Sequence, residues 1–105
     1  QQQQQQQLQR RVVVRVNKGK YAGVHEIAAD VRALHGADDV LRAARAAMPG
    51  VKVSTALRVL RYVSPDDDVL FVRSDHHWRA LLAVAAAYAD DRIVLQLCRV
   101  PQVAL

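Results

Sequence analysis

The amino-acid sequence predicts an α+β domain in which helices cover one face of a single β-sheet. Two stretches, "RRVVVRVN" and "RIVLQLCRV", alternate apolar residues with the period of a half-buried strand. Two alanine-rich stretches instead repeat apolar residues every three or four positions, as an amphipathic helix does. Turn-forming Gly, Pro, Asn and Asp fall between these segments, so the expected chain order is strand, strand, helix, strand, strand, helix, strand.

Residues 1–9, opening "QQQQQQQ", have no apolar periodicity and are expected to be a disordered Gln-rich flank or an expression remnant. The domain is expected over residues 10–101, with a tail at 102–105. The absence of an initiating Met suggests a domain cut from a longer protein. The first strand places Val12, Val14 and Val16 on one face, with Arg11, Val13, Arg15 and Asn17 on the other, so its basic residues face outward. "NKGKYAG" supplies a turn, and "VHEIAADVRAL" is expected to close a hairpin, its alanines being weak strand formers.

From Asp38 onward, Val40, Leu41, Ala44, Ala47 and Met48 share a face opposite Arg42 and Arg45, which predicts a helix. Asp38 or Asp39 is its expected N-cap, and Pro49-Gly50 its stop. "TALRVLRYV" and "VLFVR" are read as a second hairpin over residues 55–73, with "SPDDD" at the tip. Ser74 is the expected cap of a second helix, and Asp75 puts negative charge at its positive end. Trp78, Leu81, Leu82, Ala85 and Tyr88 form its inward stripe, and the last strand puts Ile93, Leu95 and Leu97 on one face. The order ββαββαβ is that of a ubiquitin-like β-grasp roll.

A chain of 105 residues, 51% of them apolar, closes one core and is short for two domains. No uninterrupted apolar run approaches the roughly 20 residues of a membrane span, and a single cysteine, Cys98, has no internal disulfide partner. A cytoplasmic protein is expected. The net charge of +5 conceals an asymmetry: residues 1–61 hold 11 Lys/Arg and 4 acids, a net +7, whereas residues 62–105 are −2. Such a bipolar chain points to a charged protein partner or to self-association as readily as to nucleic acid.

The residue types exclude several chemistries. Three adjacent aspartates on a hairpin tip are solvated, whereas general acid–base catalysis needs a desolvated group with a shifted pKa. No Gly-rich phosphate loop, Ser/His/Asp set or Cys/His pair is recognisable, so no catalytic residue and no cofactor are expected. His76 and His77 are neighbours on a helix and point about 100° apart, and "SPDDDVLFVRSD" lacks the glycine and distal glutamate of a calcium loop, so no metal is expected. Protonation of these histidines beside Asp75 would nevertheless make an acidic face sensitive to pH. RNA binding through the basic strand is the alternative function, although that strand lacks stacking aromatics.

The acidic stretch "YVSPDDDVLFVRSDHHW", preceded by the basic strand "VVVRVN", resembles the Phox and Bem interaction domain (the PB-one domain) over roughly Arg11 to Val100. Tyr62, Asp66, Asp68, Ser74 and Asp75 stand in matching positions, with Leu70 and Val72 as inward strand residues, and Arg15 occupies the place usually held by a lysine. The resemblance implies front-to-back pairing, in which the acidic face of one domain grips the basic first strand of another. The expected basic face is Arg11, Arg15, Lys18 and Lys20; the acidic face is Asp66, Asp67, Asp68 and Asp75. Expected partners are further copies of the chain, head to tail, or another domain of the family. The departures are Ser64 and Pro65 in place of acids, Asp67 in place of the turn glycine, and His76 and His77 in place of further acids. The second strand also lacks an arginine pair, for which Lys18 and Lys20 would substitute.

Overall fold

The computed structural model describes residues 10–53, 58–88 and 91–99. The flank and tail expected at 1–9 and 102–105, and the strand start expected at Thr55, lie outside them. Five strands, β1 (Arg11–Val16), β2 (Gly23–Ala28), β3 (Arg58–Val63), β4 (Val69–Phe71) and β5 (Arg92–Arg99), form one sheet in the spatial order β2-β1-β5-β3-β4. β1 runs parallel to β5, and the other pairings are antiparallel. With helices α1 (Ala37–Ala47) and α2 (Asp75–Ala85), this is a mixed α+β fold.

Three local expectations are corrected. The second strand ends at Ala28, and Val31–Ala33 is a 3-10 turn, an element that the expected ββαββαβ order lacks. Asp30 causes the break: its side chain accepts from the Arg32 N–H, and an aspartate that bonds its own backbone competes with a ladder. The Val31 N–H then donates to the Arg10 carbonyl at 2.7 Å, tying the turn to the start of β1.

The second correction concerns the cap of α1. Gly36 is its N-cap and offers no side chain, while Asp38 and Asp39 lie inside the first turn. The acceptor comes from the other helix: the Ala37 N–H donates to Asp75 Oδ1 at 2.9 Å. Gly36 makes room for it, since a Cβ there would stand 2.5 Å from that oxygen. Asp39 is occupied elsewhere, accepting from the His35 N–H at 2.9 Å, a bond that holds its carboxyl below the usual range.

The third correction is Tyr88. Helix α2 ends at Ala85, so Tyr88 leaves the inward stripe and is half-buried in the turn beyond it. The start of α2 is as expected, with Ser74 Oγ accepting from the His77 N–H.

Both helices close over the sheet face that carries Val12, Val14, Leu60, Tyr62, Ile93 and Leu95, and these residues join Val40, Leu41, Ala44 and Met48 in one core. Trp78, fully buried, is its largest side chain, and its indole N–H donates to the Leu34 carbonyl at 3.2 Å. An aromatic of this size buries roughly 150–250 Å² and anchors the 3-10 turn to α2. The opposite sheet face carries Arg15, Arg61 and Gln96 and no described helix covers it, yet Val13, expected to face outward beside Arg15, is buried there, as is Val59.

Candidate functional site

Strand direction sets the charge map. Since β5 is parallel to β1 and antiparallel to β3, the starts of β1 and β5 lie at the same end of the sheet as the end of β3. The 64–68 tip between β3 and β4 is therefore at that end, and the 17–22 turn that follows β1 is at the other. A six-residue strand at about 3.3 Å per residue spans about 17 Å between them.

The acidic tip is ordered from within. Ser64, only 3% exposed, accepts at Oγ from the N–H groups of Asp66 (3.2 Å) and Asp68 (3.0 Å). Its own N–H donates to the Asp68 carbonyl, and its carbonyl accepts from the Asp67 N–H, both at 2.9 Å. The serine that departs from the acidic pattern in the sequence is thus the scaffold of the loop. Asp67 has φ 68°, a left-handed conformation free of strain only for glycine but entered readily by the short aspartate. Asp66, Asp67 and Asp68 are all exposed, and Asp66 Oδ2 accepts from the Tyr88 hydroxyl at 2.7 Å. That bond to a carboxylate pushes the Tyr88 phenol above its ordinary pKa.

Asp75 does not lie with the tip. It opens α2, whereas the residue that holds Asp66 follows the far end of that helix, and eleven helical residues span about 16 Å. One of its oxygens already serves as the cap of α1. The expected acidic face is therefore an Asp66, Asp67, Asp68 tip with Asp75 set apart from it.

The expected basic face is divided as well. Arg11 is at the acidic end of the sheet and pairs with Glu26 at 3.8 Å. Arg15, the fifth of the six β1 residues, is exposed on the face opposite the helices, where register aligns it with Gln96, Arg61 and Phe71 across four strands. Gln96 Oε1 accepts from Arg61 Nε and a terminal nitrogen at 3.2 and 3.0 Å. Arg15, Arg61, Val63, Val94 and Gln96 line a shallow open groove of about 260 Å³. Lys18 and Lys20 are exposed in the turn at the far end, with the Lys20 ammonium 5.6 Å from the Tyr21 ring. Tyr21 fixes that turn to the end of α1 by donating to the Pro49 carbonyl at 2.7 Å.

Among the described residues, no ion pair joins Arg11, Arg15, Lys18 or Lys20 to Asp66, Asp67, Asp68 or Asp75; the pairs formed are Arg11–Glu26, Arg32–Asp30, His35–Asp39 and Arg42–Asp39. His76 and His77 are exposed neighbours with ring centroids 6.1 Å apart. No cluster of three or more His, Cys, Asp or Glu side chains among the described residues is arranged to hold a metal ion. Cys98 is half-buried, its thiol bonded to the Val59 carbonyl and pushed up in pKa by burial, which disfavours a reactive thiolate. No described helix is long and apolar enough to cross a membrane. No protein-family model matches the chain, and no curated protein sequence matches it.

The cations missed by sequence reading are Arg58, Arg61 and Arg99. A signal for two of them existed: the alternation gives Arg58 the phase of Leu60 and Tyr62, and Arg99 the phase of Leu95 and Leu97. An arginine in the inward phase at a strand end marks where the core stops. That the two stand opposite each other became visible only with the pairing of β3 and β5.

Proposed function

We propose that this domain is a protein-interaction and oligomerisation module of the cytosol, a ubiquitin-like β-grasp domain of the Phox and Bem kind, that pairs front to back and is not an enzyme. The observation that carries the reading is that the Asp66, Asp67 and Asp68 tip and the Lys18 and Lys20 turn lie at opposite ends of one sheet, with no internal ion pair between them among the described residues. The sheet order β2-β1-β5-β3-β4, with β1 and β5 parallel at its centre, supports the β-grasp assignment. In this reading Arg15, Lys18 and Lys20 receive the Asp66, Asp67 and Asp68 tip of the next domain, from a further copy or a relative. Arg11, already paired with Glu26, contributes less.

Exposed ion pairs bring only about 0.2–1 kcal/mol each, so a micromolar complex near −8 kcal/mol needs several pairs together with apolar and backbone contact. Association is therefore weak to moderate and sensitive to salt. The test uses Arg15→Ala and Asp66→Ala, each expected to lose self-association in sedimentation velocity while retaining a cooperative melt. Mixing the two restores one intact interface and yields a 1:1 dimer that grows no further. If both variants associate like the parent protein, the assignment is wrong; if only Arg15→Ala has an effect, and that on RNA binding, the nucleic-acid alternative takes its place.

A further inference from the structure

The basic end of the sheet carries a second set of cations. Arg58 and Arg99 are register partners across β3 and β5, and both are exposed. Like charges directly opposite on a ladder repel, and no described carboxylate pairs with either arginine to relieve that local cost. Two adjoining open grooves, of about 480 and 330 Å³, meet at this end and share Val16, Lys18, Arg58 and Leu97. Lys20 lines the first, and Arg61 and Arg99 line the second. Among the described residues no acid lines either groove, and none of Lys18, Arg58 and Arg99 makes an ion pair. Val16, Val51 and Leu97 give the space an apolar component.

Cations around an apolar strip fit a loop that brings carboxylates together with aliphatic side chains. One described segment has that make-up: the tip with Asp66, Asp67 and Asp68 is flanked by Val63 and Val69, which are 40% and 44% exposed. It stands at the opposite end of the same strands and is held in shape by Ser64 before any partner arrives. We infer that the groove bounded by Lys18, Arg58 and Arg99 receives the acidic tip of a second copy of this chain. The inference rests on the front-to-back reading and adds β3 and β5 to the receiving surface expected on β1. Because donor and receiver are different surfaces at opposite ends, such contacts do not close on themselves, and copies add end to end along the strand direction.

The test compares Arg58→Thr combined with Arg99→Thr, threonine keeping the strand preference, with Arg15→Ala and Asp66→Ala in sedimentation velocity. The double variant is expected to melt cooperatively and to self-associate about tenfold or more weakly. Mixed with Asp66→Asn/Asp68→Asn, it should form a 1:1 complex that does not grow. Lys18→Ala, in an exposed turn, gives an independent readout in the same direction without altering a strand. The inference is overturned if the groove variants associate like the parent protein while Arg15→Ala does not, which leaves front-to-back pairing through β1 alone. It falls together with front-to-back pairing if Arg15→Ala and Asp66→Ala also associate normally. It is overturned as well if the groove variants lose only binding to a fluorescein-labelled single-stranded RNA, which would give the groove to a phosphate backbone.

Discussion

At one end of the sheet, three aspartates sit on a loop whose N–H groups are drawn inward to Ser64, and Tyr88 holds one carboxylate. At the other end, Arg58 faces Arg99 across a ladder with Lys18 nearby, and no described carboxylate answers them. The comparison separates two ways of carrying charge on a small domain. An acidic loop can be ordered by the chain itself, because a buried hydroxyl accepts backbone N–H groups while the carboxylates point to water. Two arginines opposed on adjacent strands find no such remedy among the described residues, and an anion brought to them would relieve their repulsion.

Both ends depend on one core, and its loss is the coarsest way to abolish the contrast. Trp78→Ala should cost about 3–5 kcal/mol in urea unfolding, because it empties the largest buried site and orphans the Leu34 carbonyl. Association should fall at both ends alike. A loss below about 1 kcal/mol would mean that the described packing is not what holds the sheet to α2.

Ser64→Ala acts at the acidic end only. With two N–H groups deprived of their acceptor, it should cost about 1–3 kcal/mol, with faster hydrogen exchange at Asp66 and Asp68 and undisturbed resonances at Lys18 and Arg99. Unchanged exchange at those amides would show that the tip is ordered by something else. Gly36→Ala probes Asp75, the acid set apart from the tip. Its Cβ would displace the carboxylate that caps α1, at about 1 kcal/mol, the usual value of an N-cap, with little effect on association.

The smallest effect is a matter of pH. The Asp39 carboxyl is depressed by its bond to the His35 N–H, so its contribution is complete above its unfolded pKa of about 3.9 and disappears as pH falls through the lower folded value. Asp39→Asn should therefore flatten the acid limb of the stability curve below about pH 4 and leave neutral-pH association unchanged. An acid limb identical to that of the parent protein would contradict the assignment.

The parts of this architecture that were legible in the sequence are those in which neighbours along the chain decide the outcome. Alternation in "RVVVRV" sends Val12 and Val14 inward and Arg15 outward, the spacing of Val40, Leu41 and Ala44 makes α1 amphipathic, and Ser74 caps α2 from three residues away. What escaped depends on partners distant in sequence. The acceptor for α1 comes from Asp75, thirty-eight positions on, and a nearer aspartate, Asp39, looked equally able to supply it. Tyr88 fits a helical stripe by spacing, yet the helix stops before it and its hydroxyl turns to Asp66. Charge counting found the polarity of the chain but not its geometry, because strand direction alone puts Arg11 at the acidic end and Arg58 and Arg99 at the basic one.

The most direct measurement is sedimentation velocity of the unaltered protein over a concentration series at about 0.1 M and about 1 M salt, between which the screening length falls from about 10 Å to about 3 Å. End-to-end pairing of opposite charges predicts a sedimentation coefficient that climbs with concentration at low salt, without reaching a plateau at a dimer, and returns to the monomer value at high salt. A monomer at every concentration, or a dimer indifferent to salt, would contradict it.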